Sequence, residues 1–326
     1  MRVCVYGAGA IGGHLAVRFA RGGADVSVVA RGAHLAAIQR DGLHVEAVDG
    51  SHHIKLEASD DPAHLGPQDA VVVTVKAPSL PQVALGIRAL LGGDTGVAFV
   101  MNGIPWWYFH RLPGKLEGRR LSRIDPEDAL WRNVGPERVI GGVVYAASAV
   151  TAPGVIEVEQ PRSRVVFGEP DGRVSHRAEA LASLLRAGGI MSEVSADIRT
   201  EIWNKLINNL AGGTLAVLAG AAPRVVYAEP ACVAAGERVM QEAAATAEAL
   251  GSKPNRDFRQ RIGATARLDH KPSILQDLEL GRPMEIDGLF DAPLQLAHLA
   301  GIAAPTLELL VALAKVRARS AGLYSG

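Results

Sequence analysis

Hydrophobic positions in the first two hundred residues form short continuous runs, separated by stretches with helical spacing. The apolar runs are Arg2–Tyr6, Asp25–Ala30, Ala70–Val75 and Val97–Met101, and residues 13–22 and 33–41 have helical spacing. Continuous apolar runs are typical of parallel strands whose two faces are both covered. Strand and helix alternating in this way predict an α/β fold with a doubly wound, mainly parallel sheet.

The pattern changes near residue 198. Before it, residues 44–57 and 154–168 alternate polar and apolar positions, which predicts additional antiparallel strands. After it, residues 200–220, 231–251 and 305–322 are rich in alanine and leucine and have a helical period. We therefore place a boundary near Ala196, with an α/β domain over residues 1–196 and an all-helical domain over residues 197–326.

The composition is that of a globular protein. The chain has 326 residues, 48% of them hydrophobic, and its 34 basic residues balance its 34 acidic ones. This balance argues against nucleic-acid binding, and two cysteines cannot form a disulfide framework. No apolar run reaches the roughly 18 residues of a membrane span, and glycines interrupt the N-terminal run too early for a signal peptide. We expect a cytoplasmic protein that does not associate with membranes.

A glycine-rich motif directly follows the first strand. The residues Gly7-Ala8-Gly9-Ala10-Ile11-Gly12 fit the pattern G-x-G-x-x-G and open a helix. In a Rossmann-type domain the first glycine allows a tight turn, the second lets the backbone approach a pyrophosphate, and the third allows close helix–strand packing. The alternative is a glycine-rich turn without a ligand, but the strand–loop–helix context favours dinucleotide binding.

The end of the second strand bears on the choice of dinucleotide. NAD-binding sites usually place a carboxylate about 20 residues after the loop, whereas Arg31 stands nineteen residues beyond Gly12. A guanidinium there can bind the 2′-phosphate of NADP in a bidentate manner. The alternative is a solvated surface arginine, and we favour NADP.

Polar residues also follow two later strands. Lys76 comes after the run 70–75, and Asn102 comes after the run 97–101. Either residue alone is compatible with an ordinary turn. Because ligands of such sheets bind outside the carboxyl ends of the strands, we expect both residues to line the same crevice as the glycine turn.

The helical part contains further candidates for chemistry. Lys205 and Asn209 are four residues apart and share one helix face, away from an apolar stripe. A solvated helix face is the alternative interpretation. Ser273, followed by Gln276, fits a helix N-cap in a capping box, and Glu285 fits an ordinary first-turn acid. The chain has no HExxH or other metal-binding pair and no GxSxG elbow, so hydrolase and metal chemistry have no support.

These motifs together resemble the ketopantoate reductase (2-dehydropantoate 2-reductase) family over nearly the whole chain and in the same order. The segments that carry the resemblance are GAGAIG at 7–12, Arg31, TVK at 74–76, MNG at 101–103, WNKLINN at 203–209 and HKPSILQDLELGRPMEID at 270–287. The last segment is the most specific, because its serine and glutamate stand twelve residues apart, as in the family. The resemblance implies a Rossmann domain followed by a helical domain of the 6-phosphogluconate dehydrogenase type, with the site in the cleft between them.

The resemblance also implies an activity and residue roles. The family reduces 2-dehydropantoate to (R)-pantoate with NADPH, on the route to pantothenate and coenzyme A. Lys205 would be the proton donor, and Asn209 and Ser273 would bind the substrate. Asn102 would touch both cofactor and substrate, while Glu285 would lie near the nicotinamide and position Lys205. Lys76 would lie near the cofactor or the substrate.

This sequence departs from the family pattern at positions that concern substrate recognition. Gly213 and Thr214 stand where the family usually has asparagine and proline, and the usual glutamine after Lys76 is absent. The segment 106–138 is long and begins with Trp106 and Trp107, which either wall the pocket or anchor a surface loop or subunit contact. The alternatives to 2-dehydropantoate reduction are therefore an NADPH-dependent reductase of another 2-oxo acid and a non-catalytic NADP-binding regulator. The apolar C-terminal helices are compatible with a homodimer.

Overall fold

A computed structural model describes residues 1–159 and 163–325 of the chain. Its strands are β1 (Arg2–Tyr6), β2 (Asp25–Val29), β3 (Leu43–Ala47), β4 (Gly50–Ile54), β5 (Glu57–Ser59), β6 (Gln68–Val73), β7 (Leu91–Val100), β8 (Val139–Tyr145), β9 (Ser148–Ala152), β10 (Val155–Val158), β11 (Arg164–Gly168) and β12 (Met191–Val194). Its α-helices are α1 (Ala10–Arg21), α2 (Gly32–Asp41), α3 (Leu80–Ala89), α4 (Ala129–Asn133), α5 (His176–Ala187), α6 (Ile198–Asn208), α7 (Thr214–Ala219), α8 (Pro223–Val226), α9 (Pro230–Ala249), α10 (Phe258–Thr265), α11 (Ser273–Glu279), α12 (Ala292–Ala300) and α13 (Pro305–Ser320). Two π-helical segments, Asn209–Gly213 and Asp287–Asp291, extend helices in the second half of the chain.

The chain divides into two compact units. The first unit comprises residues 1–101 and 105–198, and the second comprises residues 102–104 and 199–326. The first unit contains strands β1–β12, whereas the second is built from helices. The predicted combination of an α/β part and a helical part is therefore confirmed.

The main sheet of the first unit has, within the described residues, eight strands in the order β12-β11-β8-β7-β6-β1-β2-β5. All neighbouring pairs are parallel except β8 and β11. The chain proceeds from β1 to β2 and β5 on one side, and then returns to β6, β7 and β8 on the other. The strand order thus reverses between β1 and β6, and such a reversal is where doubly wound sheets bind their ligands.

The middle strands explain why the apolar runs in the sequence are continuous. Val3, Cys4 and Val5 of β1 are all fully buried, as expected for a strand covered on both faces. The register pairs Tyr6 with Val29 on one side and with Val73 on the other. Strands β1, β2 and β6 therefore end together, which places the three following loops at one edge of the sheet.

A smaller sheet has the order β4-β3-β10-β9. Its β3–β4 and β9–β10 pairs are antiparallel, and β11 is antiparallel to β8 in the main sheet. The antiparallel strands predicted from polar–apolar alternation are therefore confirmed for the described residues, and residues 160–162 of the predicted segment 154–168 lie outside them. The register of β3 and β10, however, is parallel.

Helix α1 begins earlier than the predicted start at residue 13. It starts at Ala10, so Gly12 and Gly13 lie inside its first turns. A Cβ atom at Gly13 would stand 2.0 Å from Cδ1 of Ile156, so glycine allows α1 to pack closely on β10 and a larger residue would displace the Ile156 side chain.

The helix predicted over residues 200–220 is confirmed, with an irregular segment inside it. Helix α6 ends at Asn208, a π-helical segment covers Asn209–Gly213, and α7 begins at Thr214. The Thr214 hydroxyl donates a hydrogen bond to the Leu210 carbonyl oxygen at 2.6 Å. This side chain competes with the backbone for an acceptor of the helical ladder, which is a recognised cause of helix irregularity.

Candidate active site

The glycine turn connects β1 to α1 at the edge of the sheet where the strand order reverses. Gly7 has a φ of +102°, a conformation that favours glycine. The N–H groups of Gly7 and Ala8 both donate to the Val29 carbonyl oxygen, at 3.0 and 3.1 Å. The Thr74 hydroxyl donates to the Gly7 carbonyl oxygen at 2.7 Å. The turn is therefore fixed by residues that follow or end the two neighbouring strands.

The other two glycines of the motif differ in their surroundings. A Cβ atom at Gly12 would stand 2.0 Å from the Gly7 carbonyl oxygen and 2.4 Å from Oγ1 of Thr74. A Cβ atom at Gly9 would meet no atom within 4 Å among the described residues. Gly12 thus allows the helix to contact the turn, and Gly9 leaves the turn's outer side open.

The beginning of α1 is suited to an anion. Gly9 is its N-cap, no side chain of the described residues caps the helix, and its first turn contains no acidic residue. The first backbone N–H groups of a helix have no intrahelical acceptor, and they carry the positive end of the helix dipole. An open glycine turn followed by such a helix end fits the pyrophosphate of a dinucleotide.

Arg31 and Lys76 lie in the first unit, beyond the ends of two strands. Arg31 is exposed and is the N-cap residue of α2, directly after β2. Lys76 is exposed and precedes a short 3-10 turn after β6. Both residues thus follow the same edge of the sheet as the glycine turn.

The remaining predicted residues belong to the second unit. Lys205 is half-buried on α6, one position before Leu206 and Ile207 of the buried apolar stripe. Burial lowers the pKa of Lys205 to about 8, while the negative charge of Glu285 opposes that shift. Glu285 is only 6% exposed, so it is not the solvated first-turn acid that its spacing alone suggests. The Lys205 ammonium group therefore lies within electrostatic reach of a buried carboxylate.

The two residues that follow Asn102 contact Gly288, three positions after Glu285. The Ile104 N–H donates to the Gly288 carbonyl oxygen at 3.0 Å, and a Cβ atom at Gly103 would stand 2.4 Å from that oxygen. Oδ1 of Asn102 is buried and has no hydrogen-bond partner among the described residues. A buried amide oxygen of this kind offers an acceptor to a ligand.

Ser273 and Asn209 differ in exposure. Asn209 is half-buried and begins the first π-helical segment, whereas Ser273 is exposed. The prediction that Ser273 is a helix N-cap is wrong, because Pro272 occupies the N-cap position and Ser273 is the first residue of α11. The Gln276 amide donates to the Lys271 carbonyl oxygen at 2.9 Å, so no capping box with Ser273 forms. The Ser273 side chain is thus not used to cap the helix.

The departures from the family pattern have distinct structural settings. Gly213 is buried, and a Cβ atom there would stand 3.5 Å from Cγ2 of Ile274 and 3.5 Å from the Phe290 ring. Trp106 and Trp107 are both buried in the first unit, and Trp106 packs edge-on against Phe99 with ring centres 5.5 Å apart. These contacts favour the interpretation that the two tryptophans anchor the long segment.

Sequence analysis missed His34 and the role of Thr74. Nε2 of His34 lies 2.7 Å from the Ala8 carbonyl oxygen, and the Gly154 N–H donates to Nδ1 of His34 at 2.9 Å. The signal that could have found His34 is its position in the first turn of α2, three residues after Arg31. Thr74 precedes Lys76 in the TVK motif, and its hydroxyl contacts the glycine turn.

Within residues 1–159 and 163–325, no group of three or more His, Cys, Asp or Glu side chains is arranged to hold a metal ion. None of the helices in this part of the chain is both long and apolar enough to cross a lipid bilayer.

The chain is similar over its whole length to known reductases. A family model described as ketopantoate reductase PanE/ApbA matches residues 3–172, and the model of its C-terminal part matches residues 197–318. A 2-dehydropantoate 2-reductase from Mesorhizobium japonicum is 42% identical over 327 residues, which cover 100% of both chains.

Solved structures have the same fold. A candidate ketopantoate reductase from Ralstonia solanacearum superimposes with a TM-score of 0.92 at 37% identity and covers 99% of both chains. A 2-dehydropantoate 2-reductase from Geobacter metallireducens has a TM-score of 0.84 at 28% identity, over 97% of this chain and 99% of its own. These comparisons confirm the resemblance predicted from the motifs. The chain belongs to the ketopantoate reductase family and is an oxidoreductase.

Proposed function

We propose that this protein reduces 2-dehydropantoate to (R)-pantoate with NADPH, a step of pantothenate and coenzyme A biosynthesis. The observation that carries the proposal is the half-buried Lys205, which lies close enough to the buried Glu285 for the carboxylate to affect its pKa. The 42% identity to a 2-dehydropantoate 2-reductase supports the choice of substrate.

The cofactor would be held mainly by the first unit. The glycine turn (residues 7–12) and the start of α1 would bind the pyrophosphate, and Arg31 would bind the 2′-phosphate. Lys76, Asn102 and Glu285 would complete the site toward the nicotinamide. When bound, reduced nicotinamide supplies a hydride to a carbonyl carbon.

Lys205 would supply the proton. As the keto carbon is reduced, negative charge develops on its oxygen, and a nearby ammonium group stabilises this charge and then donates a proton. A pKa of about 8 keeps Lys205 mostly protonated at neutral pH and makes it a better acid than an ordinary lysine. Glu285 would keep the ammonium form populated inside a partly desolvated site. Asn102, Asn209 and Ser273 would bind the polar groups of the substrate.

A different 2-oxo acid is the second candidate substrate. The observation that favours it is the apolar setting of Gly213, between Ile274 and Phe290, where the family usually has an asparagine. Without that amide, this part of the second unit offers one polar group fewer to a substrate. The reaction and the role of Lys205 would be the same.

The proposal is tested with a panel of 2-oxo acids that includes 2-dehydropantoate. The oxidation of NADPH by each acid is measured as the loss of nicotinamide absorbance. We expect 2-dehydropantoate to give the highest kcat/KM. A higher value for another 2-oxo acid would support the second candidate instead. Tight NADPH binding without turnover of any panel member would indicate a non-catalytic regulator and contradict both.

A further inference from the structure

The imidazole of His34 connects the glycine turn to a hairpin of the smaller sheet. Its Nε2 atom lies 2.7 Å from the Ala8 carbonyl oxygen, and the Gly154 N–H lies 2.9 Å from its Nδ1 atom. The Gly154 carbonyl oxygen in turn accepts a hydrogen bond from the His44 N–H at 2.9 Å. His34 therefore holds the turn against a part of the fold that is itself fixed.

These two contacts determine the tautomer of His34. The Gly154 N–H can only donate, so Nδ1 of His34 must accept and carries no proton. The proton of the neutral ring is consequently on Nε2, where it is donated to the Ala8 carbonyl oxygen. The two hydrogen bonds thus require the same tautomer.

The Ala8 carbonyl group determines the direction of the next N–H group. In a trans peptide unit the C=O and N–H bonds point in opposite directions, and none of the described peptide bonds is cis. Holding the Ala8 oxygen toward His34 therefore directs the Gly9 N–H away from His34. Apart from its own chain neighbours, none of the described residues has an atom within 4 Å of the position that a Cβ of Gly9 would take, so that part of the turn is open to a ligand.

His34 also lies on the helix that presents Arg31. Arg31 is the N-cap of α2 and His34 is the third residue of that helix. The same side chain therefore fixes the first turn of α2 relative to the glycine turn.

We infer that His34 is a positioning residue for the dinucleotide, orienting the Gly9 N–H toward the pyrophosphate through the hydrogen bond to Ala8. This inference rests on the proposed function for the identity of the ligand. His34 itself does not touch the reacting atoms, so its effect is expected on cofactor affinity rather than on the chemical step.

Substitution of His34 by glutamine or asparagine tests the contacts of the two ring nitrogens separately. The Gln amide nitrogen of His34→Gln can replace Nε2 and retain the bond to Ala8, whereas the Asn oxygen of His34→Asn can replace Nδ1 and retain the bond to Gly154. His34→Ala removes both bonds.

Three measurements are made. The dissociation constant of NADPH is measured without substrate by fluorescence titration, and thermal unfolding reports the fold of each variant. The ¹⁵N spectra of the unliganded wild type report the tautomer of His34.

We expect the dissociation constant of NADPH to rise about tenfold in His34→Asn and His34→Ala, and less than about threefold in His34→Gln, as loss of a single oriented hydrogen bond would give. The kcat at saturating NADPH and the KM of the 2-oxo acid should change little. Equal affinities in Gln and Asn variants, better retention by Asn, or an Nδ1–H tautomer would overturn the inference.

The failure of the proposed function has a different signature. If the wild type binds NADH rather than NADPH, or reduces no 2-oxo acid, the proposed function fails, and the variants are compared with the dinucleotide that binds, because both contain a pyrophosphate. If the wild type binds neither dinucleotide, the inference about His34 is overturned as well.

Discussion

The Glu285 carboxylate and the burial of Lys205 have opposite effects on the pKa of the Lys205 ammonium group. Burial lowers the pKa of the Lys205 ammonium group to about 8, and the neighbouring Glu285 carboxylate limits the fall. The two residues are eighty positions apart in the sequence and lie in the same unit. Their proximity makes the protonation of Lys205 depend on Glu285.

Replacing Glu285 by glutamine removes the negative charge and should lower the pKa of Lys205 further. In the proposed mechanism Lys205 must be protonated to act as the proton donor, so we expect kcat to fall as the pH rises through its pKa. We expect this alkaline limb to move by about one pH unit toward lower pH in Glu285→Gln. The kcat is measured against pH at saturating substrates. Glu285→Asp retains a carboxylate and should leave the limb near that of the wild type, and an unmoved limb in Glu285→Gln would contradict the pairing.

Replacing Lys205 by methionine keeps an unbranched side chain of similar length and removes the proposed proton donor. We expect kcat to fall about a hundredfold to ten-thousandfold, the range typical of a lost general acid. The dissociation constant of NADPH should change little, because the glycine turn and Arg31 belong to the first unit. Steady-state kinetics and fluorescence titration measure the two effects.

Lys253→Met is the matched control for that variant, because Lys253 is an exposed lysine of the second unit. It should have the kcat of the wild type. Near-normal turnover in Lys205→Met would remove Lys205 from the mechanism.

Substitutions of Gly9 and Gly12 by alanine should have different consequences. A Cβ at Gly12 would stand 2.0 Å from a backbone oxygen, so we expect Gly12→Ala to lower the free energy of unfolding by about 2 kcal/mol or more. A Cβ at Gly9 would meet no atom within 4 Å in the described part of the chain beyond its own neighbours, and Gly9→Ala should unfold like the wild type. Its methyl group would instead occupy the open side of the turn and weaken NADPH binding at least about tenfold.

Urea unfolding and NADPH titration of the two variants check this pair of predictions. Unchanged NADPH affinity in Gly9→Ala would show that the cofactor does not approach this turn. Unchanged stability in Gly12→Ala would mean that α1 does not pack on the turn as described.

The sequence predicts the parts of this fold that depend on local patterns. Val3, Cys4 and Val5 form a continuous apolar run because both faces of β1 are covered, and periodicity detects this directly. The π-helical segment at Asn209–Gly213 escapes detection because the 200–220 pattern stays helical in period, and the hydrogen bond from the Thr214 hydroxyl to the Leu210 carbonyl oxygen is not visible in the sequence. Local patterns therefore predict the elements and miss their irregularities.

The site shows the same limit. Taken by spacing alone, Lys205 is typical of a solvated helix face and Glu285 of a first-turn acid, and only tertiary burial distinguishes them from such residues. The family resemblance identified both residues because it draws on the whole pattern of motifs. The position of His34 near Arg31 indicates that it is close to the glycine turn, but its contacts are not visible in the sequence, since its partners Ala8 and Gly154 are 26 and 120 positions away.

Arg31→Ala tests the choice between the two dinucleotides. Removing the guanidinium should lower kcat/KM for NADPH by about tenfold to a hundredfold, as expected for lost charge-assisted hydrogen bonds to a phosphate, and leave kcat/KM for NADH unchanged. Initial rates with each cofactor give the ratio. Arg40→Ala is the control, because Arg40 is an exposed arginine on the same helix that pairs with Asp41. An unchanged ratio in Arg31→Ala would mean that this residue does not select the cofactor.

His14 makes the stability of the first unit depend on pH. It is fully buried in α1, and burial, together with the charge of Arg18, lowers its pKa from 6.5 to about 4. Its Nε2 atom lies 3.1 Å from Oγ of Ser163, and Nδ1 has no hydrogen-bond partner among the described residues. Protonation would therefore place a charge on a buried nitrogen without an acceptor.

Between pH 6.5 and pH 4, the unfolded chain binds a proton that the folded His14 does not bind, so stability falls as the pH is lowered through this window. From pH 7 to pH 5 this group should cost about 2 kcal/mol of unfolding free energy. His14→Gln does not titrate, so its loss over the same interval should be smaller by about that amount. Urea unfolding of both proteins at the two pH values measures the difference. The neighbouring Asp49 carboxylate, whose pKa is held well below its usual 3.8 chiefly by hydrogen bonds from Arg18, loses its stabilising contribution only at more acidic pH. An equal loss in wild type and variant would show that His14 is not the group that titrates.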